Sequence, residues 1–259
     1  MLERLDRAWR IVATGLCFVS FGLGSLMLGA VVFPLLRLAV RDPARRTQVA
    51  RTFIRFTFRA FVRLMQAAGV ITVEVRGRER LQGGGRLILA NHPTLIDVVL
   101  LLALVEQGDC VVKGALGRNP VTRGTVRAAG FVFNDDGGEE LLEDCVRSVN
   151  AGNNLIIFPE GTRTRRAEPL RLQRGAARVA VHGALDITPV RIRCTPATLA
   201  KGEKWYEVPA RRAHFCIDVD EPIAVSSFIS GAPNAALAAR RLNAHLTDYF
   251  SREHELASA

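Results

Sequence analysis

Hydrophobic and polar positions divide the chain into two textures. From Ile11 to Leu36 there is no charge over 26 residues. Wound as an α-helix, that run is about 39 Å long, enough to cross a bilayer. It is long for the core of a cleaved signal peptide, and no small-x-small site follows, so a retained anchor is the better reading. Gly15, Gly22, Gly24, Gly29 and Pro34 leave two forms open, a straight span and a bent hairpin entering one leaflet. Residues 44–68 predict a second helix. Arg51, Arg55, Arg59 and Arg63 repeat every fourth position and make one stripe, with Phe53, Phe56, Phe61, Leu64 and Met65 largely off it. Basic on one side and apolar on the other is the pattern of an interfacial helix, and a helix packed on a domain with a solvated arginine face is the alternative.

After Gly69 the texture changes to short apolar strands alternating with helical runs. Strands are predicted at 71–75, 86–90, 110–113, 130–133, 154–158, 187–192 and 215–219. Helices are predicted at 95–107, 139–151, 174–182 and 234–255. This alternation predicts an α/β domain, a sheet flanked by helices on both faces. The expected organisation is an anchoring helical segment over 1–69 and the α/β domain over 70–259.

Charge sharpens the picture of the first segment. The net charge is +10, and Arg37, Arg41, Arg45, Arg46, Arg51, Arg55, Arg59 and Arg63 stand against Asp42 alone. A basic balance attracts nucleic acid or an anionic membrane surface. The adjoining apolar run favours the membrane and disfavours nucleic acid. Arg4, Arg7 and Arg10 precede that run and eight arginines follow it closely, which places the following domain on the cytoplasmic side by the positive-inside rule. Cys17, Cys110, Cys145, Cys194 and Cys216 are widely spaced, the pattern of thiols in a reducing compartment rather than a disulfide framework. No Cys or His pair has metal-ligand spacing.

The candidate chemistry lies at the ends of two strands. Strand 86–90 runs into Asn91-His92-Pro93-Thr94-Leu95-Ile96-Asp97. A histidine whose far nitrogen is held by a carboxylate is a general base near neutral pH, so His92 would take a proton from an alcohol and Asp97 would hold the ring. The same residues also fit a capping box, with Thr94 as N-cap and Asp97 at N3. Strand 154–158 runs into Pro159-Glu160-Gly161-Thr162-Arg163-Thr164. In open α/β sheets ligands gather at the carboxyl ends of strands, so the two loops can face one cleft. Gly83-Gly84-Gly85 reads as a turn, because no helix follows to make a phosphate loop. His182, His214, His245 and His254 read as surface or packing residues.

The first loop and Phe158-Pro159-Glu160-Gly161-Thr162-Arg163 together resemble the first and third signature blocks of the PlsC-like glycerolipid acyltransferases, the 1-acylglycerol-3-phosphate acyltransferase family. Lys113 with Asn119-Pro120 and Gly130-Phe131-Val132-Phe133 resembles the second block, and Thr188-Pro189-Val190 the fourth. The resemblance covers roughly residues 70–200. It implies a membrane-bound enzyme in which His92 deprotonates an acceptor hydroxyl, Asp97 orients the imidazole, and the alkoxide attacks the thioester of acyl-CoA or acyl-carrier protein. By the same resemblance Gly161 offers a backbone N–H to the oxyanion, Glu160 positions the acceptor or the loop, and Thr162, Arg163 and Lys113 help bind substrate. It implies no cofactor beyond the thioester co-substrate, and a bacterial-type inner-membrane location. The second block departs from the family, since Asp136 stands where an arginine is usual. Lys113, Arg165 or Arg166 would then supply the charge, or the acceptor is not a lysophosphatidate. The Lys201–Tyr206 segment resembles a branch tied to aryl-polyene lipids. A thioesterase, and a basic membrane-surface protein without catalysis, are the rival readings.

Overall fold

The computed structural model describes residues 2–135, 138–164 and 169–258, the side chains of residue 2 and residues 252–258 excepted. Asp136, Arg165, Arg166 and the His254 side chain therefore lie outside the described residues. The chain begins with helix α1 (Leu2–Met27), one π-helical stretch (Leu28–Val32) and helix α2 (Phe33–Ala39). These run on as one rod, Glu3–Ala39, whose best window has a mean hydropathy of 2.2. The rod has no hairpin turn. The π stretch ends beside Pro34, whose ring crowds the carbonyls of the turn before it, and a widened turn is where such crowding is absorbed. Helix α3 (Pro43–Ala67) is opened by Asp42, whose carboxylate accepts the Ala44 and Arg45 amides, a regular N-cap.

The α/β domain supplies strands β1 (Ile71–Arg76), β2 (Leu87–Ala90), β3 (Gly108–Lys113), β4 (Val132–Asn134), β5 (Asn154–Ile157), β6 (Ile187–Thr195) and β7 (Ala213–Val219). They form a seven-stranded sheet in the order β1-β7-β6-β2-β5-β3-β4. Every pairing is parallel except β6 with β7, so β1 and β7 run against the other five. Strands β2 and β5 are buried along their whole length, which is why both read as unbroken apolar runs rather than alternating ones. The intervening helices are α4 (Asp97–Leu104), α5 (Gly114–Arg118), α6 (Arg123–Ala128), α7 (Glu139–Asn150), α8 (Gly175–His182), α9 (Ser226–Ser230) and α10 (Ala235–Ser258).

Two apolar layers cover the sheet. One gathers residues of α1, α3, α4 and α6 with the sheet, and the other gathers α7, α8 and α10. The N-terminal helices are thus part of a shared core. The rod is tied to the domain at two points: near its start Arg10 is buried and donates to the Pro209 and Ala210 carbonyls, and past its middle Ser25 donates to the Val121 carbonyl. Gly29 meets Gly124 of α6 so closely that a Cβ on Gly124 would stand 2.4 Å from the Gly29 Cα.

The arginine stripe of α3 does not face outward as a whole, contrary to the interfacial pattern. Arg51 turns into the domain, donating to Asp109 at 2.8 Å and to the Ala129 carbonyl at 2.8 Å, with side-chain exposures of 5% and 2% for the ion pair. Asp109 also accepts Ser148 at 2.5 Å and its neighbour's amide. Burial pushes its carboxyl up and the Arg51 charge pulls it down. Arg55 reaches Glu106 at 2.8 Å. The sequence cannot tell such a stripe from a solvated one, because the partners lie far along the chain. Removing one member of a buried ion pair strands the other charge. Arg51→Ala is expected to cost about 3–5 kcal/mol, read as a shift in the urea midpoint, with part recovered by Arg51→Lys.

Candidate active site

Strands β2, β5 and β3 are adjacent and parallel, so the loops that follow them leave one edge of the sheet. The β2 loop begins at Asn91. Its side-chain amide donates to the Ile192 carbonyl and accepts the Ile192 N–H, which carries the β2–β6 ladder one step beyond the strand. His92 comes next and is held by its main chain on both sides. Its N–H donates to Glu160 Oε1 at 2.8 Å, and its carbonyl accepts the Thr164 N–H at 2.7 Å. The two loops that looked remote in sequence are bound directly together.

A buried carboxylate sets the angle of the imidazole. His92 Nδ1 lies 2.9 Å from Asp97 Oδ2, and side-chain exposure is 16% for the histidine and zero for the aspartate. The same carboxylate accepts the Thr94 N–H at 2.7 Å and the Thr94 hydroxyl at 2.5 Å. Burial drives the Asp97 carboxyl up, and the His92 and Thr94 hydrogen bonds oppose it. A buried carboxylate needs such donors to stay an acceptor. The capping and catalytic readings of Asp97 thus describe one carboxylate doing both jobs, although α4 starts at Asp97 rather than at Leu95. With Nδ1 engaged, Nε2 is the free end of the ring, and it has no hydrogen-bond partner among the described residues. The ring lies against Phe158, centroid to centroid 4.3 Å.

The second loop is a tight turn. The Gly161 N–H donates to the Phe158 carbonyl at 3.0 Å, and Gly161 has φ +67°, the left-handed region that glycine adopts freely. Its amide is therefore taken up by the turn, where the sequence suggests one offered to an oxyanion. Among the described residues no acceptor meets the Thr162 or Arg163 amide. Glu160 is buried and its Oε1 also accepts the Thr164 hydroxyl at 2.8 Å, so it braces the loops rather than reaching outward. Arg163 Nη1 donates to the Leu199 and Ala200 carbonyls, both at 3.0 Å, which leaves the Nε and Nη2 edge of its guanidinium without a partner among the described residues. Leu199, at φ +55°, also accepts the Leu95 N–H at 3.0 Å. Its one carbonyl thus ties the β2 and β5 loops to the segment after β6.

Lys113 ends β3 at the same sheet edge, exposed and paired with no described residue. Thr162 is half-buried without a side-chain hydrogen bond among the described residues. Thr188-Pro189-Val190 lies inside β6 beside β2 and supports the loop from below. His214 bonds Thr72 on the surface and His245 packs near Phe228. Trp205 lies across Gly15 of α1, within 3.0 Å of where its Cβ would be. Burial pushes the Cys145 thiol up to about 12 and Cys110 higher still, so neither supplies a thiolate nucleophile. Reading the sequence missed Thr164 and the Leu199 carbonyl. Thr164 follows the motif without distinction, and a backbone carbonyl leaves no mark in a sequence.

The family model described as Acyltransferase matches residues 72–193, a span that holds both loops. Nearly half of the chain is thus similar to that family. It is 32% identical over 113 residues to a 1-acyl-sn-glycerol-3-phosphate acyltransferase of Helicobacter pylori, covering 41% of this chain and 48% of that one. Over 150 residues it is 27% identical to the Saccharomyces cerevisiae 1-acyl-sn-glycerol-3-phosphate acyltransferase, covering 54% and 48%. The chain spans about half the length of these curated relatives. The crystal structure of the 1-acyl-sn-glycerophosphate acyltransferase PlsC from Thermotoga maritima shares the fold, with a TM-score of 0.71 over 99% of this chain and 98% of that one at 19% identity.

The buried carboxyls make a pH prediction. Burial holds Glu160 above its ordinary range, against the pull of the His92 N–H and Thr164 hydroxyl. A raised folded-state value means the native state binds the proton more tightly than the unfolded chain. Its contribution is therefore lost as pH climbs from about 4.3 through the raised value. Glu160→Gln, whose amide oxygen still accepts both donors, should flatten that loss in urea titrations across the interval. An unchanged slope would count against a raised Glu160.

Proposed function

We propose that the protein is an O-acyltransferase that moves an acyl chain from a thioester donor, acyl-CoA or acyl-carrier protein, to the free hydroxyl of a lysophospholipid, most simply 1-acylglycerol-3-phosphate. The observation that carries this reading is the His92–Asp97 pair clamped against the Glu160–Thr164 loop. A neutral imidazole with Nδ1–H held by Asp97 presents Nε2 as a base. The acceptor O–H passes its proton to Nε2 and its oxygen bonds to the thioester carbonyl carbon. The tetrahedral oxyanion would be met by main-chain amides of the same loop, Thr162 and Arg163 having no acceptor among the described residues. Collapse breaks the C–S bond, and the imidazolium returns the proton to the departing thiolate. The open Nε–Nη2 edge of Arg163 matches the fork geometry of a phosphate, and Lys113 adds a second cation at the same edge. No covalent enzyme intermediate and no cofactor enter this sequence of steps.

The substrate's solvent is suggested by the N-terminal rod. Leu5, Val12, Leu16, Val19, Leu23, Val31, Leu35 and Leu38 are exposed at spacings of three, four, seven and eight, a stripe along one face. The opposite face packs on the domain along its length, through Arg10, Ser25, the Gly29–Gly124 contact and the buried Phe33. A spanning helix would carry one end away from the domain. The rod therefore lies in the plane of the membrane with its stripe in the acyl layer, flanked by half-exposed Trp9 and Trp205, residues suited to the interface. The concentration of arginine around α2 and α3 favours the anionic cytoplasmic leaflet of the inner membrane for this surface.

Purified protein in mixed micelles, given acyl-CoA with and without lysophosphatidate, tests the reaction by thiol release. Release is expected only with acceptor present, and release without acceptor would make the protein a thioesterase. His92→Ala is expected to lower transfer about 10²–10⁴-fold, the usual worth of a general base, while flotation with vesicles is unchanged. A folded His92→Ala variant of full activity would remove the assignment.

A further inference from the structure

A groove of about 430 Å³ lies between α2, α3 and α6, on the side of the domain that carries the apolar rod. Its lining holds Arg37, Arg46, Arg123 and Arg127, from three different helices, together with the apolar Phe33 and Pro34. No acidic side chain among the described residues lines it. None of the four guanidinium groups makes a hydrogen bond or ion pair with a described residue, whereas Arg10, Arg51, Arg55 and Arg80 elsewhere in the chain are all engaged. Four like charges around one opening repel one another, and an anion in the opening would offset what water and salt leave unscreened. The helices are held together all the same, because the Gly29–Gly124 contact brings the rod and α6 to van der Waals distance. The contact fixes Arg123 and Arg127 opposite Arg37.

We propose that this groove is a binding site for the phosphate-bearing headgroup of one anionic membrane phospholipid, separate from the reacting lipid at His92. Charge complementarity selects the headgroup: four cations and no anion suit a phosphodiester, and guanidinium groups fork onto its oxygens. The apolar part of the lining selects a lipid over a soluble phosphate, since Phe33 and Pro34 lead onto the exposed Leu35 and Leu38 of the rod. Acyl chains can follow that path into the leaflet. The site rests on the in-plane placement of the rod but not on the acyltransfer reaction. It would hold the domain at one height and rotation on the bilayer, which a diffuse basic surface does not do.

Native mass spectrometry of the full chain in detergent, with phosphatidylglycerol or phosphatidylcholine added, is the test. One phosphatidylglycerol is expected to be retained per chain, and phosphatidylcholine much less. Arg123→Gln/Arg127→Gln is expected to weaken that retention about tenfold or more. Arg41→Gln/Arg45→Gln removes the same charge from the exposed α2–α3 connection and the first turn of α3, outside the groove lining, and should stay within about twofold of the parent. Equal weakening in the two double variants would overturn the proposal in favour of diffuse attraction, and so would equal retention of the two lipids. Displacement of the lipid by millimolar inorganic phosphate alone would overturn the lipid assignment. Vesicle flotation separates the rod from the groove. Failure to float with any vesicle refutes the in-plane rod, whereas flotation without a phosphatidylglycerol preference refutes only the groove.

Discussion

The peptide unit of His92 is the point on which the site depends. Its N–H is accepted by a side chain of the loop after β5, and its carbonyl receives an amide from the same loop. A ring on a surface loop would ordinarily sample several positions. Here the backbone that carries it is hydrogen-bonded on both sides to the neighbouring strand's extension, so the ring has little freedom left except rotation about its own bonds. Asp97 and Phe158 remove most of that. Glu160 acts as a brace, its carboxylate replacing the missing sheet pairing beyond the ends of β2 and β5.

Asp97 shows how tightly local folding and chemistry are joined. Its carboxylate closes the turn that starts α4 by accepting from Thr94, and the same oxygen that takes the Thr94 amide lies against His92. Full burial makes the charge costly in isolation, and three donors offset that cost. The arrangement stiffens the turn and fixes the imidazole at once. A second buried acid, Asp109, plays a corresponding part away from the site, joining α3, β3, α7 and the turn after α6 through Arg51 and Ser148. Both carboxylates are buried, and they differ in their neighbours: Asp97 faces an imidazole and Asp109 a guanidinium.

The strands were legible because a strand buried on both faces is written as a short apolar run, and the loops were legible because polar residues stop those runs abruptly. Helices α5 and α6 left no such trace, being too short for a periodicity to develop. The arginine stripe of α3 was read by its spacing, which is the same for a solvated face and for one that reaches a buried aspartate 58 residues on. Gly161 illustrates a different limit. A glycine in a polar loop suggests a freely offered amide, yet the proline two positions earlier favours a turn that uses that amide internally. Pattern shows which residues are near the chemistry, but only the hydrogen-bond accounting of the loop shows which donors remain.

The Leu199 carbonyl has a temporal consequence. It joins Leu95 of one loop to Arg163 of the other, and it belongs to a segment some 35 residues downstream of the second. During synthesis both motifs leave the ribosome before the group that knots them together. A nascent chain that has just exposed Arg163 therefore carries the side chains of the candidate site in an unfinished arrangement. Competence arrives only after the stretch past β6 has emerged and docked.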